Sequence, residues 1–272
     1  MPLFKRSDGT HIPHVSLTRA IMPFIMRTRT ESAVYFEQKL DVTKAYEYIA
    51  RRAQEGSKLT LFHIYSYAIV RTLVERPRLN RFTSGGHLYQ RSAIELGFSA
   101  KKSMDESAPV VAIKRAFDPN ATFDEHVQTL LGGVSEGRSS KANHTDQELS
   151  ILLKFPTLVL GWLVRLARWL DGVNLLPHAM IGPDPLYASV FIANLGSVGL
   201  DAAFHHLYEW GNCPIFAALG RVHEERAEDG SLRRYCLVRY TFDERIEDGL
   251  YCARALERLR EIVERWEAPP PP

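Results

Sequence analysis

The segment from Asp243 to Asp248 concentrates the ionisable groups that are best suited to acid–base chemistry. It places four carboxylates and one guanidinium within six residues, namely Asp243, Glu244, Arg245, Glu247 and Asp248. Neighbouring carboxylates raise one another's pKa and an arginine lowers it. Because unpaired buried charges are costly, we expect these groups to be in ion pairs or exposed to water, unless they take part in catalysis. A carboxylate serves as a general base toward a thiol only where a dry site raises its pKa. The alternative is a solvated turn in which Asp248 caps the following helix.

The stretch Tyr240–Ala255 predicts how this cluster is positioned. Apolar and polar residues alternate up to Phe242, which is typical of the end of a strand. The chain then turns at 247–249 and continues as a helix. The apolar stripe of that helix recurs every three to four residues and is predicted to comprise Leu250, Ala253, Leu256, Leu259 and Val263. A strand that ends in a charged turn before a buried helix is a common way to hold polar side chains in a cleft.

The composition of the 272-residue chain excludes few classes of function. The formal net charge is +2 and no long basic run is present, so nothing indicates a nucleic-acid partner. Cys213, Cys236 and Cys252 lack the spacing of metal ligands, so we predict no metal site and interpret them as buried thiols. Unpaired thiols and the absence of a signal-peptide pattern predict a reducing, cytoplasmic location.

The order of the predicted elements indicates an α+β fold. Predicted helices cover about residues 17–26, 43–54, 60–75 and 123–133, and predicted strands cover about 34–42, 87–90, 94–100, 110–114, 187–195, 214–222 and 234–242. Pro23 is expected in the first turn of its helix, and residues 134–147 are expected to form a loop. Several strands joined by hairpin-length turns favour a sandwich over a doubly wound sheet. We predict a single domain over residues 1–268 and a proline tail over 269–272.

The segment 149–170 is unusually apolar and about long enough to span a bilayer. Its basic residues and its proline argue against a span. On a helical wheel Lys154, Arg165 and Arg168 fall on one narrow side, with Trp162 and Trp169 beside it. One interpretation is an amphipathic helix in peripheral contact with a membrane. The interpretation that we favour is an apolar helix packed on its own domain or on a neighbouring subunit.

Three motifs together carry a resemblance to a known family. They are Phe191–Gly196 (FIANLG), Pro214–Gly220 (PIFAALG) and Phe242–Gly249 (FDERIEDG), in this order and spacing. The chain thereby resembles the catalytic domain of the acyltransferase subunit of 2-oxo acid dehydrogenase complexes, whose fold is shared with chloramphenicol acetyltransferase. The resemblance covers most of residues 15–267. The apolar helical segment of about 140–185 looks like an insertion relative to the dehydrogenase subunits.

The resemblance implies a fold, an assembly and a reaction. The fold is an α+β two-layer sandwich with a mixed sheet, and the assembly is a homotrimer with the active site between subunits. The reaction is the transfer of an acyl group from acyl-CoA to a small thiol or hydroxyl acceptor, with acyl-CoA as substrate and no permanently bound cofactor. The C-terminal residues, Trp266 excepted, are a poor apolar anchor, so we expect a trimer rather than a cubic cage.

The family's site residues carry over only in part. The family motif His-x-x-x-Asp-Gly is matched by Asp248 and Gly249, while Glu244 occupies the histidine position. The resemblance makes Arg27 the partner of Asp248. Ala193, which has no donor, occupies the position of the serine or threonine that stabilises the oxyanion.

Other polar residues are candidates for the missing groups. Asn194, Ser197, His205 and His206 could supply an oxyanion donor, and one of the two histidines could replace Glu244 as the base. The alternative for the histidines is that one is exposed and the other packs on Tyr208 or Trp210. Two hypotheses therefore remain open: an acyltransferase with a rearranged site, or a catalytically inactive trimeric scaffold or binding module of the same fold.

Overall fold

A computed structural model describes residue 2 and residues 4–101, 110–138 and 153–270 of the chain. The strands are β1 (Gly9–His11), β2 (Ala33–Asp41), β3 (Arg81–Ser84), β4 (His87–Arg91), β5 (Ile94–Lys101), β6 (Val110–Phe117), β7 (Val190–Asn194), β8 (Ile215–Arg226) and β9 (Leu232–Asp243). The helices are α1 (Leu17–Ile25), α2 (Thr43–Gln54), α3 (Leu61–Glu75), α4 (Phe123–Arg138), α5 (Thr157–Gly172), α6 (His178–Ile181) and α7 (Gly249–Glu264).

The larger sheet has six strands in the order β2-β9-β8-β7-β5-β6, and a smaller sheet has the order β1-β4-β3. In the larger sheet β7 runs parallel to both β5 and β8, and the other pairs are antiparallel. The predicted α+β sandwich with a mixed sheet is therefore confirmed. The strands β1 and β3 were not predicted, and β4 belongs to the smaller sheet.

One face of the large sheet packs against helices, with α3 at the centre of the core. The side chains of α3 are buried from Leu61 to Leu73 except for Phe62, which is half-buried. Helices that are apolar on all sides are buried on all sides. Thr60 and the His63 side chain form a capping box at its start, and Pro77 follows its end. The predicted bounds of α2 and α3 are confirmed to within one residue.

The other face of the sheet is covered by the segment 200–213, which we call the covering segment. Tyr240 and Phe242 of β9 belong to the helix-side core, so Thr241 and Asp243 point to the outer face. On that outer face Phe191 and Phe216 stack with ring centroids 5.1 Å apart and pack with Leu207 of the covering segment. This layer contains Ala193 and the two histidines, so it positions three of the eight predicted site residues.

Several predicted boundaries and faces differ from the structure. Leu250 and Ala253 are exposed, because α7 packs through Cys252 and Ala255 in place of them and periodicity alone does not distinguish the two stripes. Pro23 is the seventh residue of α1, not a first-turn residue, and the helix ends two residues later. The helix α4 runs to Arg138, so residues 134–138 are not loop, and residues 139–147 lie outside the described residues.

The apolar segment predicted over 149–170 contains α5, which begins only at Thr157 after a turn at 153–155. Lys154 therefore precedes the helix, and residues 149–152 lie outside the described residues. No residue of α5 is buried. Its last turns touch the rest of the chain through Ala167 and Leu170, which pack near Leu176. Among the residues that the structure describes, no helix is both long enough and apolar enough to cross a membrane.

Candidate functional site

The charged cluster at the end of β9 contains a buried ion network around Asp243. The Asp243 carboxylate accepts hydrogen bonds from Nε and Nη2 of Arg245 at 2.8 and 2.7 Å, and Nη1 of Arg29 lies 3.8 Å away. Its side chain is fully buried. Burial alone raises the pKa of Asp243, but the two guanidinium groups outweigh it and hold the pKa below the ordinary value. Asp243 is therefore a structural anion.

The two arginines of this network tie two other parts of the chain to the end of β9. Arg29 donates to the carbonyl oxygens of Gly211 and Cys213 at 2.9 and 3.0 Å, which fixes the end of the covering segment. Arg245 donates to the carbonyl oxygen of Met26 at 3.1 Å, which fixes the chain after α1. Each guanidinium thus satisfies backbone acceptors as well as the buried carboxylate, as a buried charge requires.

A second buried carboxylate, Glu247, pairs with three arginines. Its Oε2 lies 3.0 Å from Nη1 of Arg81 and 3.6 Å from Arg78, and its Oε1 lies 3.7 Å from Arg19. The charged cluster thus contains two kinds of residue. Asp243, Arg245 and Glu247 are buried and paired, while Glu244 and Asp248 are exposed.

Asp248 caps α7, as the alternative interpretation predicted. Its Oδ1 accepts from the backbone nitrogen of Tyr251 at 2.9 Å, and this hydrogen bond is the largest cause that lowers the pKa of Asp248. No ion pair joins Asp248 to Arg27 among the described residues, so the pairing that the resemblance implies is not found within this chain. The arginine that reaches this turn is Arg19, because the first turns of α1 lie beside it and Arg27 lies beyond the end of that helix.

Glu244 has a fixed backbone and an exposed side chain. Its backbone nitrogen donates to the carbonyl oxygen of Ser32 at 2.9 Å, and its carbonyl oxygen accepts from Arg19 at 2.6 Å. These bonds hold the residue between β2 and α1. Within one chain the carboxylate is in water, so the dry environment that a carboxylate base needs is not supplied by this chain alone.

The predicted oxyanion region lies at the end of β7. Ala193 is half-buried on the outer face, beside Phe191 and Phe216. Asn194 and Ser197 bond to each other: Oδ1 of Asn194 accepts from Ser197 N at 3.2 Å, and Oγ of Ser197 donates to Asn194 O at 2.7 Å. These bonds close the 3₁₀ turn that follows the strand.

A glycine is required in that turn by the close approach of β8. A Cβ atom at Gly196 would lie 2.5 Å from the carbonyl oxygen of Gly220, which no real side chain tolerates. The FIANLG motif is therefore explained by packing between β7 and β8 at this point.

His205 is the more constrained of the two histidines. Its ring stacks on Phe216 with centroids 3.8 Å apart and an angle of 4° between planes. Its Nδ1 lies 2.7 Å from the carbonyl oxygen of His206, so Nδ1 carries the proton and Nε2 is the acceptor in the neutral ring. Burial lowers the pKa of His205, which favours that neutral form. His206 is exposed and makes an edge contact with Tyr208.

Sheet register separates Glu244 from the Ala193 region within one chain. Ala193 pairs with Ala218 on β8, and Ala218 pairs with Arg239 on β9. Glu244 lies five residues beyond Arg239, which at about 3.4 Å per residue is roughly 17 Å along the strand direction. The structure therefore leaves Glu244 well beyond Ala193 along the sheet, while His205 lies between them on the outer face, over Phe216, which pairs with Thr241.

The interactions that organise the site were only partly visible in the sequence. The alternation of β9 indicates that Asp243 shares a face with Thr241, but it does not identify Arg29 as a partner from an early loop. Arg27 lines a polar cleft together with Arg168 of α5, and no motif connects these two arginines. No cluster of metal-ligating side chains occurs in the part of the chain that the structure describes.

Comparison with known proteins identifies the fold. No family model matches the chain, and no curated protein matches it at a significant level. Among solved structures, it is similar to a probable dihydrolipoamide acetyltransferase from Listeria monocytogenes, with a TM-score of 0.60, 15% identity and 94% of each chain covered.

Two further solved structures agree with this match. A truncated catalytic core of the 2-oxoacid dehydrogenase multienzyme complex from Thermoplasma acidophilum has a TM-score of 0.60 and 16% identity, over 95% of this chain and 100% of that one. A chloramphenicol acetyltransferase has a TM-score of 0.60 and 12% identity, over 94% of this chain and 99% of that one. The chain therefore has the fold shared by these acyltransferase catalytic domains.

Proposed function

We propose that the protein is a CoA-dependent acyltransferase whose active site forms between the subunits of a homotrimer. The acyl group would pass from a CoA thioester to a small thiol or hydroxyl acceptor. The observation that supports this most is the register separation between Glu244 and Ala193, the two positions that match the family's active residues. A second copy of the chain would bring the two halves together, as the shared fold and the positions of the matching motifs lead us to expect.

In this proposal Glu244 is the general base, replacing the usual histidine. A subunit packed against it would exclude water and provide the dry environment that a carboxylate base needs. Asp248 would keep the turn in place by capping α7. Because Ala193 offers no donor, the oxyanion would be stabilised by Asn194, Ser197 or His206 across the interface.

His205 is the alternative base. Its neutral ring presents Nε2 as a proton acceptor, and its stacking on Phe216 holds the ring in a single orientation. It needs no unusual environment to accept a proton near neutral pH.

Variants of these two residues test the proposal by release of free CoA from acetyl-CoA in the presence of a thiol acceptor. We expect Glu244→Gln to abolish turnover and the exposed Glu228→Gln to leave it unchanged. Turnover like that of the wild type in Glu244→Gln, together with its loss in His205→Asn, would assign the base to His205. Turnover that survives both substitutions would exclude both residues as the base.

The alternative function is a trimeric scaffold or binding module that has lost the chemistry. It predicts calorimetric binding of CoA or acetyl-CoA without turnover, or no binding at all. The substitutions at the two chemically active positions, Glu244 and Ala193, favour this alternative.

The trimer can be tested separately from the reaction. Side chains at and beside the outer face are exposed in the single chain, including Tyr35, Val198, Leu200, Phe204 and Tyr208. Such a patch marks an interaction surface. Light scattering should give three times the 30.9 kDa chain mass. A monomeric mass would refute the site between subunits, and a mass far above the trimer would indicate a cage.

A peripheral membrane contact through α5 is a second candidate function. Trp162 and Trp169 are 72% and 60% exposed, and Arg165 lies between them in sequence. Exposed tryptophans at the headgroup level are typical of helices that lie in a membrane interface, and Arg165 lies on the same side of the helix as these two. We expect co-sedimentation with anionic liposomes and its loss in Trp162→Ser/Trp169→Ser. A wild-type protein that stays in solution would refute this contact.

A further inference from the structure

A polar cleft of about 180 Å³ lies where six parts of the chain meet. Its walls are the end of α1 and the loop after it, the turn between β3 and β4, the end of α5, residues 209–211 of the covering segment, Tyr187 before β7, and Arg245 after β9. Arg27, Arg29, Arg168 and Arg245 line it, together with Asp171 and Glu209. Four guanidinium groups around one small cavity are the feature that requires an explanation.

The acidic side chains of the cleft are already occupied. The carboxylate of Glu209 accepts from the backbone nitrogens of Arg29 and Thr30 at 3.3 and 3.0 Å and from the Thr30 hydroxyl at 3.0 Å. Asp171 pairs with Arg6, whose Nη2 lies 2.9 Å from Oδ1 of Asp171. Among the described residues, no ion pair joins either carboxylate to Arg27 or Arg168.

The remaining charge belongs to two arginines. Asp243 pairs with Arg29 and Arg245, and Arg6 pairs with both Asp8 and Asp171, so none of these carboxylates pairs with Arg27 or Arg168. Within the described parts of the chain, the guanidinium groups of Arg27 and Arg168 have no hydrogen-bond or ion-pair partner. They come from different walls of the cleft, one after α1 and the other from α5.

We propose that this cleft binds a small oxyanion with two negative charges, with Arg27 and Arg168 as its ion-pairing residues. A guanidinium group matches carboxylate and phosphate oxygens with two parallel hydrogen bonds, and two such groups match a dianion in charge. Because a water molecule occupies about 30 Å³, the cavity has room for a phosphate group or a short dicarboxylate. The buried network of Asp243 holds the back wall rigid, so the cleft is formed before the ligand arrives.

The site is separate from the acyl-transfer proposal. It uses α5, which lies within the segment of about 140–185 that the sequence indicates as an insertion, and it uses neither Glu244 nor the Ala193 surface. Binding to the cleft can be measured without any turnover, so the failure of one proposal leaves the other unaffected.

Calorimetric titration with inorganic phosphate and with succinate tests the proposal, with acetate as the singly charged comparison. We expect one of the two dianions to bind with clear preference over acetate. Arg27→Gln and Arg168→Gln should each weaken that binding about tenfold or more, as expected for the loss of a charged hydrogen-bond pair. A preference for phosphate would assign a phosphoryl ligand, and a preference for succinate would assign a dicarboxylate.

Arg165→Gln is the matched control, because Arg165 is an exposed arginine of the same helix that does not line the cleft. It should leave the affinity within about twofold of the wild type, since it changes only the general charge. The proposal is refuted if neither dianion binds more tightly than acetate, or if the Arg165 variant weakens binding as much as the two cleft variants do.

Discussion

Replacing Asp243 by asparagine tests whether the buried ion network holds the strand end together. The asparagine side chain has nearly the same shape and can still accept one hydrogen bond, but it removes the buried carboxylate that Arg29 and Arg245 share. Both guanidinium side chains are only 7% exposed, and the carboxylate is fully buried. Removing one partner of such a buried pair typically costs about 3–5 kcal/mol of unfolding free energy. We expect a loss near the lower end of that range for Asp243→Asn, because one hydrogen bond survives.

The measurement is urea unfolding at neutral pH, followed by tryptophan fluorescence and circular dichroism. The matched control is the adjacent Glu244→Gln, an exposed position that should change the unfolding free energy by less than about 0.5 kcal/mol. Because the pKa of Asp243 is below its ordinary value, the difference between wild type and variant should persist above about pH 4 and narrow only as the pH falls further. A loss below about 1 kcal/mol would show that the pair behaves as a solvated surface pair, and the reasoning would be refuted.

Three further predictions concern stability. Burial lowers the pKa of His126 to about 3, so between about pH 3 and pH 6.5 the unfolded chain binds a proton at this residue and the folded chain does not. The unfolding free energy should therefore fall by about 1.5 kcal/mol from pH 6.5 to pH 5. Urea titration across this range should show a smaller fall in His126→Asn. Gly85→Ala should destabilise the protein by about 2–4 kcal/mol, because φ is +56° and the new Cβ would lie 1.8 Å from the carbonyl oxygen of Gly172. Gly56→Ala is the control: its φ is +85° but the space around it is open, so it should cost only about 1 kcal/mol in the same assay. Trp266→Ala should cost about 3–5 kcal/mol in thermal or urea unfolding, since the ring is 1% exposed; a loss below about 1 kcal/mol would contradict its place in the core.

Elements with a strong local pattern were predictable from the sequence. The bounds of α2 and α3 and the alternation of β9 follow from periods of 3.6 and 2, which are set by neighbouring residues. The buried face of α7 was not predictable in the same way. Leu250 and Ala253 fit an apolar stripe as well as Cys252 and Ala255 do, and only the position of the sheet decides between them.

The site was less predictable because its contacts join distant parts of the chain. The sequence located the charged turn and the cap at Asp248, both of which depend on adjacent residues. It did not distinguish Arg27 from Arg29, two residues apart, although one is exposed at the cleft and the other is buried against Asp243. Which of the two arginines is buried depends on the covering segment, because its carbonyl oxygens at Gly211 and Cys213 accept hydrogen bonds from Arg29.

The pairing of β2 with β9 has a consequence for how the chain is made. Ala33 pairs with Asp243 and Asp41 with Tyr235, so the first strand of the large sheet, β2, pairs with β9, the last strand of the described chain. During synthesis β2 has no partner until almost the whole chain has left the ribosome, and its exposed edge is meanwhile open to other chains. Such non-local pairing slows folding, because about 200 residues of intervening chain must be ordered or looped before it forms. The strand end that carries Glu244 is therefore among the last parts to be completed, and nascent or truncated chains would lack the site altogether.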